Sequence, residues 1–347
     1  MYVDVNMDWL PNKLFTDESL LESFIQIVPR AYGEFARLGK VPGKDIRQII
    51  IEKPRGFENL NYVETQYNLE DQLKDMDEAN IDKAVLQIPC WQEWLSLEIS
   101  KKVNDGLAQH IKQAPKRFLA LAVVPPWGTK ECLYEVDRCI KELGFCGVQM
   151  AAHYGNLYLD NEEFKSHFKK INQLGVPVFV RHTPLPVDYQ SIINYTNLRR
   201  LYGRCVDQAT AVGRELFSGM FEEFPNLKLI HSMLGGAFFA YVDLLAPGRS
   251  GVREEMERFD ITSEKIGGYL ERNIYFDISH APPWGKAQLE CAVKVLGAEH
   301  ILFGSSYPVR REWLLKGVSY IKSLNIGNKD KSLILGENAV RLFNIKK

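Results

Sequence analysis

Short, continuous apolar runs alternate along the chain with longer amphipathic stretches. The runs are Tyr2–Asp8, Asp82–Pro89, Phe118–Pro125, Gly144–Ala151, Pro177–His182, Leu227–His231, Ile274–Ser279 and Ile301–Ser305. Most are apolar throughout, the pattern of strands buried on both faces of a parallel sheet. Between them, Leu69–Ala79, Glu131–Leu143, Glu162–Leu174 and Ala287–Leu296 place apolar residues at helical spacing. Strand followed by helix, repeated from end to end, predicts a (β/α)8 TIM barrel covering residues 1–347 as one α/β domain. An open, doubly wound sheet is the competing architecture. Its dinucleotide-binding version would need a G-x-G-x-x-G after the first strand; none is present, so no nucleotide cofactor is expected.

Two connections exceed what a minimal barrel needs. Residues 11–67 precede the first regular helix and carry Arg30, Lys40, Lys44, Arg47, Lys53 and Arg55 among aromatic residues. Long insertions after barrel strands lie over the face where active sites form, so this segment is expected to act as a lid, with a solvated loop as the plainer alternative. Thr183–Glu215, after the fifth run, is a second candidate of the same kind.

Composition narrows the class without naming a function. The 347 residues are 46% hydrophobic and 25% charged with a formal net charge of -1, so neither a nucleic-acid partner nor an anionic membrane is expected. No apolar run approaches the roughly 20 residues of a spanning helix. The opening Met1-Tyr2-Val3-Asp4 reads at once as strand, with no basic leader region, so no secretory signal is expected. Six cysteines lie scattered without a C-x-x-C pair, which suits buried thiols in a reducing compartment. A cytoplasmic protein is expected.

In a barrel, functional side chains sit at the C-terminal strand ends, where the βα loops open. Those positions hold Asn6 and Asp8 on strand one, His182 on strand five and His231 on strand six. Strand seven adds Asp277 and His280, and strand eight Ser305 and Ser306. A lone strand-end histidine is commonly a hydrogen-bonded core residue, but His182, His231 and His280 on one rim point to chemistry. Arg310, just past strand eight, and Arg55 in the insertion are candidates for holding a substrate carboxylate; a surface ion pair is the plainer use of such an arginine. Trp9, Trp91, Trp94 and Trp284 follow strand ends and would wall an aromatic pocket or simply pack the lid.

The segments VDVNMDWLP (Val3–Pro11), GVPVFVRHTP (Gly175–Pro184), FSGMFEEFPNLKLIHSMLGGAFF (Phe217–Phe239), NIYFDIS (Asn273–Ser279), ILFGSSYP (Ile301–Pro308) and LGENAVRLFNI (Leu335–Ile345) carry a resemblance. In this order they resemble the amidohydrolase superfamily, in the branch of 2-amino-3-carboxymuconate semialdehyde decarboxylase and the non-oxidative aromatic-acid decarboxylases. The resemblance implies a divalent metal, zinc or manganese. An H-x-H pair (or a Glu-containing variant) on strand one, a His on strand five and an Asp on strand eight would hold it, with a catalytic His on strand six. Here strand one offers Asn6 and Asp8, His182 and His231 match the two histidines, and Ser306 stands where the Asp is usual. Asp8 and His182 are then the only strong metal ligands, short of the three or four that zinc sites use. Loss of the usual metal is the preferred expectation, and a weaker, oxygen-preferring ion the alternative.

The activity so implied is non-oxidative decarboxylation of a small aromatic or cyclic carboxylate or phenol. His231 would move the proton with Asp8 or His280 as partner, while Asn6, His182, Ser306, Arg310 and Arg55 would bind substrate. Hydrolysis or hydration of a ring-cleavage product or lactone is one alternative. A non-catalytic ligand-binding member that has lost its metal is another. The resemblance also implies a homodimer.

Overall fold

A computed structural model describes residues 1–24, 35–90, 92–246 and 263–346. Eight strands form one parallel sheet in chain order: β1 (Val3–Asp8), β2 (Lys83–Gln87), β3 (Phe118–Val123), β4 (Gly147–Ala151), β5 (Val178–Arg181), β6 (Leu229–His231), β7 (Ile274–Asp277) and β8 (Ile301–Leu302). The Val5 amide donates to Phe303 O at 3.0 Å and the Asp8 amide to Tyr307 O at 2.7 Å, which brings β1 beside the segment that follows β8. The sheet therefore curls on itself as a (β/α)8 barrel, as the alternation of runs predicts.

A helix follows each strand: α1 (Leu69–Ala79), α2 (Leu97–Gln113), α3 (Lys130–Lys141), α4 (Lys165–Leu174), α5 (Gly203–Phe217), α6 (Ser263–Arg272), α7 (Lys286–Leu296) and α8 (Arg311–Lys322). Local chemistry sets several of their starts. The side chains of Asn68, Ser96 and Thr129 accept the amides of Asp71, Ile99 and Cys132, satisfying donors that the first turns of α1, α2 and α3 leave open. Among the described residues no helix is long and apolar enough to cross a membrane.

The apolar core has two parts, and their division sets the site. The larger part fills the layer between strands and helices. The smaller gathers Val3, Val5, Val85, Leu121, Phe179, Ile230, Tyr275 and Leu302 inside the barrel, with Leu342, Phe343 and Ile345 from the chain's end packed against them. Side chains alternate across a strand, so an inward Phe179 sends Arg181 inward, and an inward Ile230 sends His231 out toward the helices. On β1 the pairing jumps from Asp4 opposite Ala84 to Met7 opposite Leu86, so two residues face one. This bulge lets Asn6 follow Val5 onto the inner face, and Asp8 with it.

The described residues of the 11–67 insertion are not an irregular loop. They build a three-stranded antiparallel sheet (Phe35–Lys40, Arg47–Glu52, Glu58–Val63) whose Ile49, Ile51 and Tyr62 join the larger core. Arg199 and Arg204 donate to its carbonyls at Glu58 and Asn59, at 3.3 and 3.2 Å, tying it to the segment after β5. That second connection is less open than its composition suggests. Only residues 182–195 are irregular; Leu198–Tyr202 is a π-helical turn leading straight into α5.

Candidate active site

Asp8 and Arg181 meet across the barrel mouth, from β1 and β5. Arg181 Nη1 donates to Asp8 Oδ1, and Nη2 lies 3.4 Å from Oδ2, so both carboxylate oxygens face the guanidinium fork. The side chains are 1% and 3% exposed, so little water screens the pair. Burial pushes the Asp8 carboxyl upward and Arg181 draws it back. Burial alone would weaken the arginine's hold on its proton, but the charge of Asp8 outweighs it and keeps the guanidinium ionised. Arg181 Nε is buried with no hydrogen-bond partner.

Beside this pair lies a network centred on Asn6. Its Nδ2 donates to Asp277 Oδ2 at 2.9 Å and reaches Ser279 Oγ at 3.1 Å and Ser306 Oγ at 3.2 Å; its Oδ1 accepts from Gln87 Nε2 at 2.7 Å. Burial raises the Asp277 carboxyl to about 6, against the hydrogen bonds from Ser279 and Asn6 that draw it down. The approach needs Gly304, where an added Cβ would lie 1.9 Å from Asp277 Oδ1 and 2.7 Å from Asn6 Cβ. Ser279, His280 and Ser306 hold φ of 30°, 56° and 56°, the left-handed region that non-glycine residues adopt at a cost.

A third group closes the mouth. His182 Nε2 lies 3.2 Å from Cys90 Sγ, and its Nδ1 lies 3.3 Å from Ser232 Oγ, which also accepts the His182 amide at 3.0 Å. Burial, then the charges of Arg204 and Arg181, hold His182 well below the ordinary imidazole range. His280 stacks on Trp313 with centroids 4.1 Å apart, and its buried Nδ1 has no partner. Burial and the same two arginines bring it to about 3. Arg204 lies on α5, and its charge bears on both His182 and His280; its Nε is also buried and unpartnered. From the insertion, Tyr62 and Tyr67 add buried phenols that feel the charge of Asp8.

Several sequence-based assignments change. His231 faces away from the mouth: Nδ1 lies 3.0 Å from Gln208 Oε1 and Nε2 2.7 Å from Glu215 Oε2, both on α5. Both ring nitrogens are engaged in the layer behind the barrel, which leaves neither for a group at the mouth. Asp8 is committed to Arg181, so it is neither an open base nor an open metal ligand. Arg310 and Arg55 are exposed. Among the described basic residues of the insertion, Lys53 is buried, 2.5 Å from Glu93 Oε1. Trp9 packs behind the barrel against His110 and Gly106 of α2, and Trp284 Nε1 donates to Ile278 O at 2.8 Å. Arg30, Trp91 and the side chain of Trp94 lie outside the described residues. Asn6 and Ser306 bond to each other, and the charges of Arg204, Arg181 and His280 bear on His182; strand-end reading missed the two arginines.

The buried titrating groups predict how stability follows pH. Burial holds His153 and His280 at about 3 and His110 and His167 at about 4. These values lie below an unfolded histidine, so the stability they give is full above roughly 6.5 and lost as pH falls through the folded values. Asp4 and Asp277, raised to about 6, and Asp207, raised to about 7, act in the opposite sense. Their contribution is full below roughly 4 and lost as pH rises through those values. The two sets offset one another in between, so Tm is expected to change little from pH 6 to 4 and fall sharply from about 4 to 3. Thermal denaturation across that range checks it; a steep fall already at pH 6 would contradict these environments.

Fold and mouth together define an α/β-barrel protein with its polar chemistry at the strand ends. The amidohydrolase family model matches residues 59–345, and the chain belongs to that family. The chain is 28% identical over 290 residues to gamma-resorcylate decarboxylase of Rhizobium sp. (strain MTP-10005), covering 79% of this chain and 86% of the relative. It is 25% identical over 252 residues to 2-amino-3-carboxymuconate-6-semialdehyde decarboxylase of Dictyostelium discoideum, covering 72% of this chain and 67% of the relative. Among solved structures, dihydroxybenzoic acid decarboxylase of Polaromonas sp. JS666, with bound manganese and 2-nitroresorcinol, superposes with a TM-score of 0.76. It is 20% identical, covering 100% of this chain and 97% of that one.

The donors at this mouth do not fit such an ion. Both Asp8 oxygens face a guanidinium, His182 Nε2 is occupied by Cys90, and Asn6 and Ser306 are neutral and bonded to each other. Among the described residues, no three His, Cys, Asp or Glu side chains gather so as to hold a metal. A divalent cation would also sit against the buried positive charge of Arg181.

Proposed function

We propose that this chain is a carboxy-lyase that removes CO2, without oxidation, from a small aromatic or cyclic carboxylate bound in the barrel mouth. The observation that carries the reading is a buried mouth with two arginine edges, Arg181 Nε and Arg204 Nε, left for an anion. The decarboxylases named among the relatives support it. Residues 11–67 serve as the lid, their tyrosines 62 and 67 excluding water beside Asp8.

Arg181 and Arg204 orient the carboxylate, and His280 is the candidate proton donor. Empty, His280 is neutral. A substrate anion raises its affinity for a proton, so the proton arrives together with the substrate. Transfer of that proton to the ring carbon bearing the carboxylate, followed by return of the C–C bond electrons to the ring, releases CO2 and restores neutral imidazole. Asp8 positions Arg181, and Asn6 with Asp277 holds the floor.

Incubating the protein with a panel of 2-hydroxybenzoates in D2O tests the reading by NMR. The expected product carries deuterium on the carbon that lost its carboxylate; folded protein that converts no member of the panel would refute the assignment. His280→Asn is expected to lower kcat by about 10²–10⁴-fold while substrate affinity changes little, read by steady-state kinetics beside calorimetry. Hydration or hydrolysis would instead leave the carboxylate in the product.

A homodimer in the cytoplasm completes the proposal. Tyr195, Leu198, Leu201 and Tyr202 expose large apolar side chains after β5 and suit a partner surface. Light scattering should give twice the mass of one chain.

A further inference from the structure

We propose that Arg181 is the resident cation of this mouth, taking the place of a divalent metal, and that with Arg204 it forms a metal-free binding site for a ligand carboxylate. This rests on the reading of the mouth as a carboxylate site but not on which reaction follows.

Position is the first support. The resemblance places a metal between ligands of strands one and five. Here those strands send inward Asp8 and Arg181, which bond to each other across the barrel. A guanidinium fixed on a strand supplies a permanent positive charge with directed donors.

The donor inventory is the second support. Asp8 engages Nη1 and Nη2 of Arg181, Nη1 also lies 3.3 Å from Ile88 O, and the Cys90 thiol sits against the guanidinium, leaving Nε; Arg204 Nη2 donates to Asn59 O and its Nε is left. Buried N–H donors of this kind are rarely left without an acceptor. The charges of Arg204, Arg181 and His280 all bear on His182, whose Nε2 lies 3.2 Å from Cys90 Sγ. Asp8 is held by Arg181, and Asp277 by Asn6 and Ser279. A carboxylate accepts through both oxygens and matches two N–H edges, whereas a neutral phenol offers a single weaker acceptor.

Isothermal titration tests the proposal, with benzoate, salicylate and 2,6-dihydroxybenzoate as carboxylate probes and resorcinol as the probe lacking the carboxylate. Protein is titrated as purified, after dialysis against EDTA, and with added manganese. At least one carboxylate should bind ten times or more tighter than resorcinol, with Kd unchanged within threefold across the three preparations. Arg204→Gln should weaken it tenfold or more, and the charge-neutral double variant Asp8→Asn/Arg181→Gln should weaken it further. Should the double variant fail to fold, Arg204→Gln and the EDTA comparison decide. Binding that requires manganese, affinity for resorcinol equal to that for every carboxylate, or no loss in Arg204→Gln would each overturn the proposal. Metal-independent binding without CO2 release would sink the decarboxylase reading and leave this one standing.

Discussion

Arg181→Met is expected to cost about 3–5 kcal/mol of stability and to abolish turnover. The substitution keeps much of the side chain's volume but strands the Asp8 carboxylate, 1% exposed, opposite an apolar chain. Taking one partner from a buried pair leaves the other to bear its full desolvation, which is why single removal is costlier than removal of both. Asp8→Asn/Arg181→Met should therefore recover most of the stability but none of the activity. The pH dependence gives a further check. Without Arg181, burial alone acts on Asp8 and raises its folded pKa further above the unfolded value. The deficit should be small below roughly pH 4 and grow as pH rises through the elevated value. Urea denaturation at pH 4 and 7 measures this; an equal deficit at both would show that charge is not the cause.

His231→Leu is expected to be nearly as damaging to the fold, by about 3 kcal/mol, yet to leave kcat within a few-fold in protein that folds. His231 is the partner, 2.7 Å away, of a Glu215 that is otherwise buried on α5, and it holds Gln208 as well. Burial raises the Glu215 carboxyl and His231 lowers it, so its loss leaves an acid without a partner between β6 and α5. Denaturation and turnover on the same preparation separate the roles. A large loss of kcat with stability intact would return His231 to the chemistry.

The barrel could be read from the chain because its strands are apolar on both faces and its helices on one, so the period itself changes from strand to helix. Boundaries followed closely, Leu69–Ala79 coinciding with the observed helix. The site was legible only in part, for the same physical reason. Strand ends give the level at which a side chain emerges, but uniformly apolar strands hide which face it takes. Val178, Phe179 and Val180 give no polar alternation from which to tell that Arg181 points inward and His231 outward. Only the separate packing of Phe179 and Ile230 inside the barrel shows it. The bulge that turns Asn6 inward has no glycine or proline to announce it. Arg204 lies on a helix, outside any strand-end rule, and its Nη2 donates to Asn59 O of the insertion sheet.

One crystal structure would test the central claim most directly: protein grown with manganese and 2,6-dihydroxybenzoate, with diffraction collected at the manganese absorption edge. The account predicts no anomalous peak between Asn6, Asp8 and Ser306, and a carboxylate seated on Arg181 and Arg204 with the Asp8–Arg181 pair intact. A manganese peak on Asp8 and His182, with Arg181 displaced and the carboxylate on the metal, would contradict it.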